Sequence, residues 1–226
     1  MRSNFLSEKY QDIYFNPESP EAEKQYVFIE ANRITERLTT ATEFTVAELG
    51  FGFGLNYALT LHAAKKADCL HKLRYYSVDE KFPAADQIAA LRQQLKICGD
   101  SYALPSAGPR NLRVHHGDVL EFLNQSAFAA DAWYFDGFSP AKNPAMWSAE
   151  VFARCFALTR PGGTFSTYTS AGWVRRNIEA AGFIVNKVQG FAAKREMLVG
   201  FKPSSEKIEE HALGPAVSAV EPGVEA

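Results

Sequence analysis

Cysteine is scarce in this chain: Cys69, Cys98 and Cys155 are the only three among 226 residues. The number is odd and no two form a CxxC pair, so neither a disulfide framework nor a zinc site is expected. Long apolar runs are also missing. No segment is long enough to span a bilayer, and Met1 to Tyr10 lack the apolar core of a leader peptide. A cytosolic location is the default for such a chain. Strong charge of one sign is absent too, the formal net value being −2, which argues against a chain-wide polyanion binder. The basic residues are nevertheless unevenly placed. Arg154, Arg160, Arg175, Arg176, Lys187, Lys194, Arg195 and Lys202 face only Glu179 and Glu196 in the same stretch, so the C-terminal half can carry a basic surface. What the chain does have is 46% hydrophobic and 22% charged residues, the balance of a globular protein large enough for one real core.

Short apolar runs alternate with helical patterns through the centre. Phe44–Leu49, Leu73–Val78, Leu112–His115, Ala132–Phe135 and Thr164–Thr169 read as strands. Helices are expected over Leu55–Lys66, through Leu91 and Leu95, through Phe122, over Val151–Leu158 and over Val174–Ala181. Two last strands follow at Phe183–Val188 and Met197–Phe201. This alternation implies an α/β fold with a mostly parallel sheet and helices on both faces. Before it, Ile13-Tyr14-Phe15 and Tyr26-Val27-Phe28-Ile29 flank a Pro- and Glu-rich turn, so residues 1–43 read as a small N-terminal β element with a short helix at Ile34–Leu38. Residues 44–202 are expected to form the main domain. The tail from Pro203 to Ala226 lacks periodicity and is expected to be disordered.

Glu48-Leu49-Gly50-Phe51-Gly52-Phe53-Gly54 closes the first main strand and opens an Ala/Leu-rich helix. Glycines at alternate positions let a backbone turn tightly against a ligand. A carboxylate two residues ahead would repel a pyrophosphate but suits a cationic amino-acid end, and S-adenosylmethionine is the common ligand of that kind. Glu48 would orient that end directly or through water; otherwise it is a plain strand-end acid. Asp79 and Glu80, ending the second strand, compete to accept from ribose hydroxyls. Asp118, ending the third, would accept from an adenine amino group or cap the helix that follows, and the two roles are compatible.

Asp136 ends the fourth strand, at the carboxyl edge where parallel sheets bind ligands. Methyl transfer to an amine needs a free lone pair, hence a proton acceptor beside the nitrogen. Asp136 fits that role; the plainer reading makes it a turn residue before Gly137. Phe138, Trp147, Tyr168 and Trp173 could pocket a base, and Lys142, Arg175, Arg176, Lys194 and Arg195 could meet phosphates. His115 and His116 point to opposite faces of one strand, so no shared metal is expected.

The stretch Asp136-Gly137-Phe138-Ser139-Pro140-Ala141-Lys142-Asn143-Pro144-Ala145-Met146-Trp147 resembles the signature loop of the tRNA 5-methylaminomethyl-2-thiouridine methyltransferases. Gly50-Phe51-Gly52-Phe53-Gly54-Leu55-Asn56, Arg160-Pro161-Gly162-Gly163-Thr164, Ala171-Gly172-Trp173-Val174-Arg175-Arg176 and Gly190-Phe191-Ala192-Ala193-Lys194-Arg195-Glu196-Met197 are similar as well. The likeness runs from about Tyr10 to Lys202. It implies a Rossmann-like class I S-adenosylmethionine-dependent methyltransferase fold. It also implies methylation of the aminomethyl nitrogen of a wobble uridine in tRNA. Glu48, Gly50, Gly52, Gly54, Asn56, Glu80, Lys81 and Asp118 then fall on the cofactor side. Asp136 is the catalytic candidate, with Phe138, Lys142, Trp147, Arg175, Arg176, Lys194 and Arg195 on the substrate side. Phe53 departs from the family's small hydroxyl residue, and Asp79 from an apolar one. Nothing after Lys202 offers a dinucleotide fingerprint, so no flavin is expected. A small-amine methyltransferase, an aminopropyltransferase or a non-catalytic RNA-binding module on the same fold are the alternatives.

Overall fold

The computed structural model describes residues 5–15, 18–96 and 111–204. Cys98 and nearly all of the 203–226 tail therefore lie outside the described residues. A seven-stranded sheet carries the site, in the order β5-β4-β3-β6-β7-β9-β8. Its strands are β3 (Phe44–Leu49), β4 (Leu73–Asp79), β5 (Leu112–His116), β6 (Ala130–Phe135), β7 (Thr159–Thr167), β8 (Ile184–Gln189) and β9 (Glu196–Phe201). β5 through β7 run parallel, and β9 is antiparallel to both β7 and β8.

Helices cover both faces, as a parallel sheet requires. α1 (Pro20–Lys24), α2 (Ile34–Thr40) and α3 (Leu55–Lys66) pack together on one side, while α5 (Val119–Gln125), α6 (Ala149–Ala157) and α7 (Gly172–Ala180) line up on the other. The side chains of β6 divide between the two layers with the period of two that a strand imposes. Ala132 and Tyr134 join the core under α1–α3, and Trp133 and Phe135 the core under α5–α7. The remaining helix, α4 (Ala85–Arg92), follows β4. Among the described residues no helix is long and apolar enough to cross a membrane.

The N-terminal segment differs from expectation. Tyr26-Val27-Phe28-Ile29 is not a strand but part of a π-helical stretch, Gln25–Glu30, that continues α1 without a break. Pro20 stands in the first turn, where its missing N–H costs nothing, and starts the helix. Val27, Phe28 and Ile29 are buried against the main core. Each such burial is worth roughly 1.5–3 kcal/mol, more than the strand preference it overrides. A small hairpin does exist, but further upstream: β1 (Leu6–Ser7) pairs antiparallel with β2 (Asp12–Ile13).

The strand order reverses beside β3, whose neighbours are β4 and β6. Leu49 and Phe135 are in register, so the segments leaving β3 and β6 emerge side by side. Ligand crevices of parallel sheets form at this point.

Candidate active site

A cavity of about 1580 Å³ opens over the carboxyl ends of β3, β4 and β6. Gly50 and Phe51 both donate to the Val78 carbonyl, at 3.0 and 3.2 Å, which folds the glycine turn across the β4 end. Gly50 has φ +97°, and a Cβ there would stand 2.6 Å from the Asp136 carbonyl oxygen. Glycine is thus required for the β3 and β6 loops to come this close. Gly54, in the left-handed region, caps α3 and does not line the cavity.

Acids stand at each strand end, in different circumstances. Asp79 is spent on the backbone: one oxygen accepts from Gly52 N at 2.7 Å and the other from Lys81 N at 3.1 Å. Burial raises its pKa. Glu80 points elsewhere, pairing with Lys9 and accepting from the Tyr10 hydroxyl at 2.9 Å. The hydrogen bond from Lys9 lowers its pKa. Asp118 caps α5 through Oδ1, which accepts from Leu120 N and Glu121 N, while its other oxygen has no partner among the described residues. Asp79, Glu80, Lys81 and Asp118 all line the cavity.

Glu48 does not. It is fully buried behind the wall, accepting from Asn56 Nδ2 and from Ser77 Oγ, each at 2.8 Å. Desolvation, with the nearby Asp136 charge adding to it, pushes its pKa up to about 8. Direct contact with a ligand, expected from its place before the glycines, is blocked because Asn56 stands in front. Asn56 lines the cavity and joins Glu48 to Asp136, donating to Asp136 Oδ2 at 2.7 Å. Its own Oδ1 is buried without a partner.

Asp136 reaches the cavity floor because its backbone N–H extends the β3–β6 ladder, donating to Leu49 O at 3.0 Å. Its side chain is 9% exposed and forms an ion pair with Lys24 at 2.5 Å. Burial raises its pKa, against the opposing pull of the Lys24 charge. Lys24 escaped the sequence reading: a lysine in a Glu-rich segment expected to be a turn carries no signal of burial. The helix α1 turns it inward.

The expected substrate side divides. Phe138 lines the cavity, stacked on Tyr10 at 4.7 Å and met edge-on by Tyr14 at 4.9 Å. Lys194 also lines it, paired with Glu23 at 2.8 Å and held over the Tyr168 ring. Lys142 instead ties the β1–β2 hairpin to the Asp136 loop, donating to Gln11 O and to Asp12 Oδ1. Trp147 is buried, its indole N–H donating to Phe138 O at 2.9 Å. It braces the loop, and no face is free for a base. Arg175, Arg176 and Arg195 lie outside the cavity lining. Arg175 pairs with Glu179 along α7.

Residues 84–203 match the model of a family described as S-adenosyl-L-methionine-dependent methyltransferase. This chain belongs to that family. Its donor is S-adenosylmethionine, and its sheet is that of the class I methyltransferases. Similar curated proteins include the "tRNA 5-methylaminomethyl-2-thiouridine biosynthesis bifunctional protein MnmC" of Nitrosospira multiformis, 38% identical over 87% of this chain and 35% of that protein. The protein of the same name from Ectopseudomonas mendocina is 39% identical over 86% of this chain and 33% of its own length. The chain thus spans about a third of the length of these relatives. Among solved structures, MNMC2 from Aquifex aeolicus superposes with a TM-score of 0.68 at 23% identity, covering 89% of this chain and 68% of that one. A spermidine synthase superposes with a TM-score of 0.53 at 17% identity, covering 77% of this chain and 60% of its own. These two likenesses speak for the fold.

The residues present suit the donor. The cavity is large enough for a nucleoside with an amino-acid arm, and carboxylates outnumber lysines in its lining, a balance that suits a cationic ligand better than a phosphate. The unpartnered Asn56 Oδ1 is a buried acceptor waiting for a donor group.

Proposed function

We propose that this protein methylates the exocyclic aminomethyl nitrogen of a modified wobble uridine in tRNA, converting nm5(s2)U to mnm5(s2)U. The observation that carries the reading is Asp136. A buried carboxylate sits at the floor of a cavity in a methyltransferase, in a chain whose curated relatives are named for 5-methylaminomethyl-2-thiouridine biosynthesis.

The donor, when bound, supplies an electrophilic methyl on a sulfonium. Glu80 and Asp118 would hold its adenosine end, through the ribose hydroxyls and the adenine amino group. Asp79 would keep the glycine turn in place beneath it, since both its oxygens are already engaged. Asn56 Oδ1 would accept from the donor's ammonium, with Glu48 steadying the amide from behind. Asp136 would accept a hydrogen bond from the substrate nitrogen and take its proton as the N–C bond forms. Its pKa, raised by burial, makes it a better acceptor than a surface aspartate.

The aromatic group Phe138, Tyr10 and Tyr14 at the cavity wall would receive the uracil ring, which must leave its stack for the nitrogen to reach so deep a carboxylate. Lys194, Arg195, Arg175 and Arg176 supply positive charge around and beyond the cavity for the RNA backbone. A tRNA substrate also implies action in the cytoplasm.

The deciding experiment incubates the protein with labelled S-adenosylmethionine and bulk tRNA from cells lacking this enzyme, followed by nucleoside analysis. Label in a methylaminomethyl uridine is the expected result. Label in another nucleoside, or none, overturns the reading.

A further inference from the structure

The Lys24–Asp136 pair has an uneven hydrogen-bond pattern. Lys24 Nζ and Asn56 Nδ2 both donate to Oδ2, at 2.5 and 2.7 Å. Among the described residues nothing donates to Oδ1. The ammonium is held on its other side by the Phe28 ring, 5.3 Å from its centroid. Lys24 is 7% exposed yet lines the cavity, so it borders the space where a substrate nitrogen must arrive.

We propose that Lys24 is a positioning residue that selects the unprotonated amine: it occupies Oδ2 so that Oδ1 alone meets the incoming nitrogen, and its fixed charge disfavours an ammonium there. The inference rests on the amine-methylating reading of the site. A primary aliphatic amine is mostly protonated near neutral pH, as lysine is, and the protonated form has no lone pair to give. A lone buried carboxylate would bind that ammonium as an ion pair and hold it in the unreactive state. With Lys24 in place the carboxylate is already compensated. A second cation then gains little from Asp136 and is repelled by the first.

The surrounding charges leave Lys24 in control. Glu23 on α1 is paired with Lys194 from the β8–β9 loop, and Asp12 on β2 with Lys142. Glu21 accepts from Lys96 N at 2.6 Å. Burial pushes the carboxyl of Glu48, behind Asn56, toward its neutral form, and keeps the Tyr168 phenol neutral.

The test compares wild type with Lys24→Met and Lys24→Arg, following kcat with saturating aminomethyl-uridine tRNA from pH 6 to 9.5, since kcat reports the groups of the bound complex. Without the cation both Asp136 and the bound amine hold protons to higher pH, so the two effects act in one direction. The acid limb of Lys24→Met should move up by about one pH unit or more, a loss of about ten-fold or more on that limb. Lys24→Arg should keep the limb near its wild-type position. A second measurement needs no donor: the affinity for aminomethyl tRNA relative to the same tRNA with plain uridine. At pH 6 this ratio should be higher in Lys24→Met than in wild type, because the variant accepts the ammonium. An unshifted limb, or a limb displaced equally in Lys24→Arg, overturns the proposal. If Lys24→Met fails to fold, Lys24→Gln takes its place under the same criteria. Wild-type enzyme that leaves the aminomethyl group unmethylated overturns the reading of the site, and the proposal with it.

Discussion

Glu48→Gln should remove a pH dependence of stability that the wild-type chain carries. Glu48 is wholly buried on the central strand, and its pKa stands at about 8 against the ordinary 4.5. Desolvation is the first cause and the Asp136 charge the second. The unfolded chain releases this proton near its ordinary pKa, while the folded chain keeps it until about pH 8. Between those values the folded state binds more protons, so stability falls as pH rises and levels off above the folded pKa. A shift of this size is worth on the order of a few kcal/mol, a large share of a typical total stability. Glutamine presents an oxygen to Asn56 in the same place and a neutral group to Ser77, whose hydroxyl can turn to accept. The variant should therefore lose most of the slope between pH 5 and 8 and be the more stable protein at pH 8. Urea unfolding across that range, followed by the fluorescence of the buried Trp133 and Trp147, gives the comparison directly. Parallel stability curves for the two proteins would show that Glu48 ionises normally and refute the argument. Methyl transfer should persist within a few-fold, since Asn56 keeps an acceptor behind it.

Asp136→Asn should reduce methyl transfer by two orders of magnitude or more while leaving S-adenosylmethionine affinity within a few-fold; equal loss of both, measured by calorimetry and single-turnover assay, would assign Asp136 to the cofactor instead. Gly50→Ala should cost about 1–3 kcal/mol in denaturant unfolding, because its Cβ would meet the Asp136 carbonyl and its φ is positive. Arg175→Glu combined with Arg176→Glu should weaken tRNA binding and flatten its salt dependence; an unchanged salt slope would put the RNA on another face.

The sheet was legible because its strands are short apolar runs bounded by turn chemistry, and their length and flanking turn residues separate them from the longer helical patterns between them. The N-terminal segment was misread for the opposite reason. Tyr26-Val27-Phe28-Ile29 has strand composition, and only packing against α3 decides that it is helical. No window of sequence contains that partner. The strand-end acids were legible as a set, because a carboxylate after an apolar run is unusual wherever it occurs. Their division of labour was not. Asp79 and Glu80 are adjacent in the chain, and only coordinates tell that the first holds the glycine turn while the second faces Lys9 and Tyr10.

The same limit explains the substrate side. Lys142 and Trp147 belong to the most distinctive stretch of the chain, yet both are used to hold loops: one anchors the β1–β2 hairpin, the other supports Phe138 from below. A motif records which residues a site needs, without separating those that touch the ligand from those that fix the ones that do. Lys24 shows the converse. It sits in no motif, and its importance comes from a helix that brings a cation to a carboxylate 112 residues away in sequence. A buried ion pair is costly to assemble and rarely improves stability over apolar packing. Its presence at the floor of the cavity, with one carboxylate oxygen left open, is therefore better explained by what must happen at that oxygen than by the needs of folding.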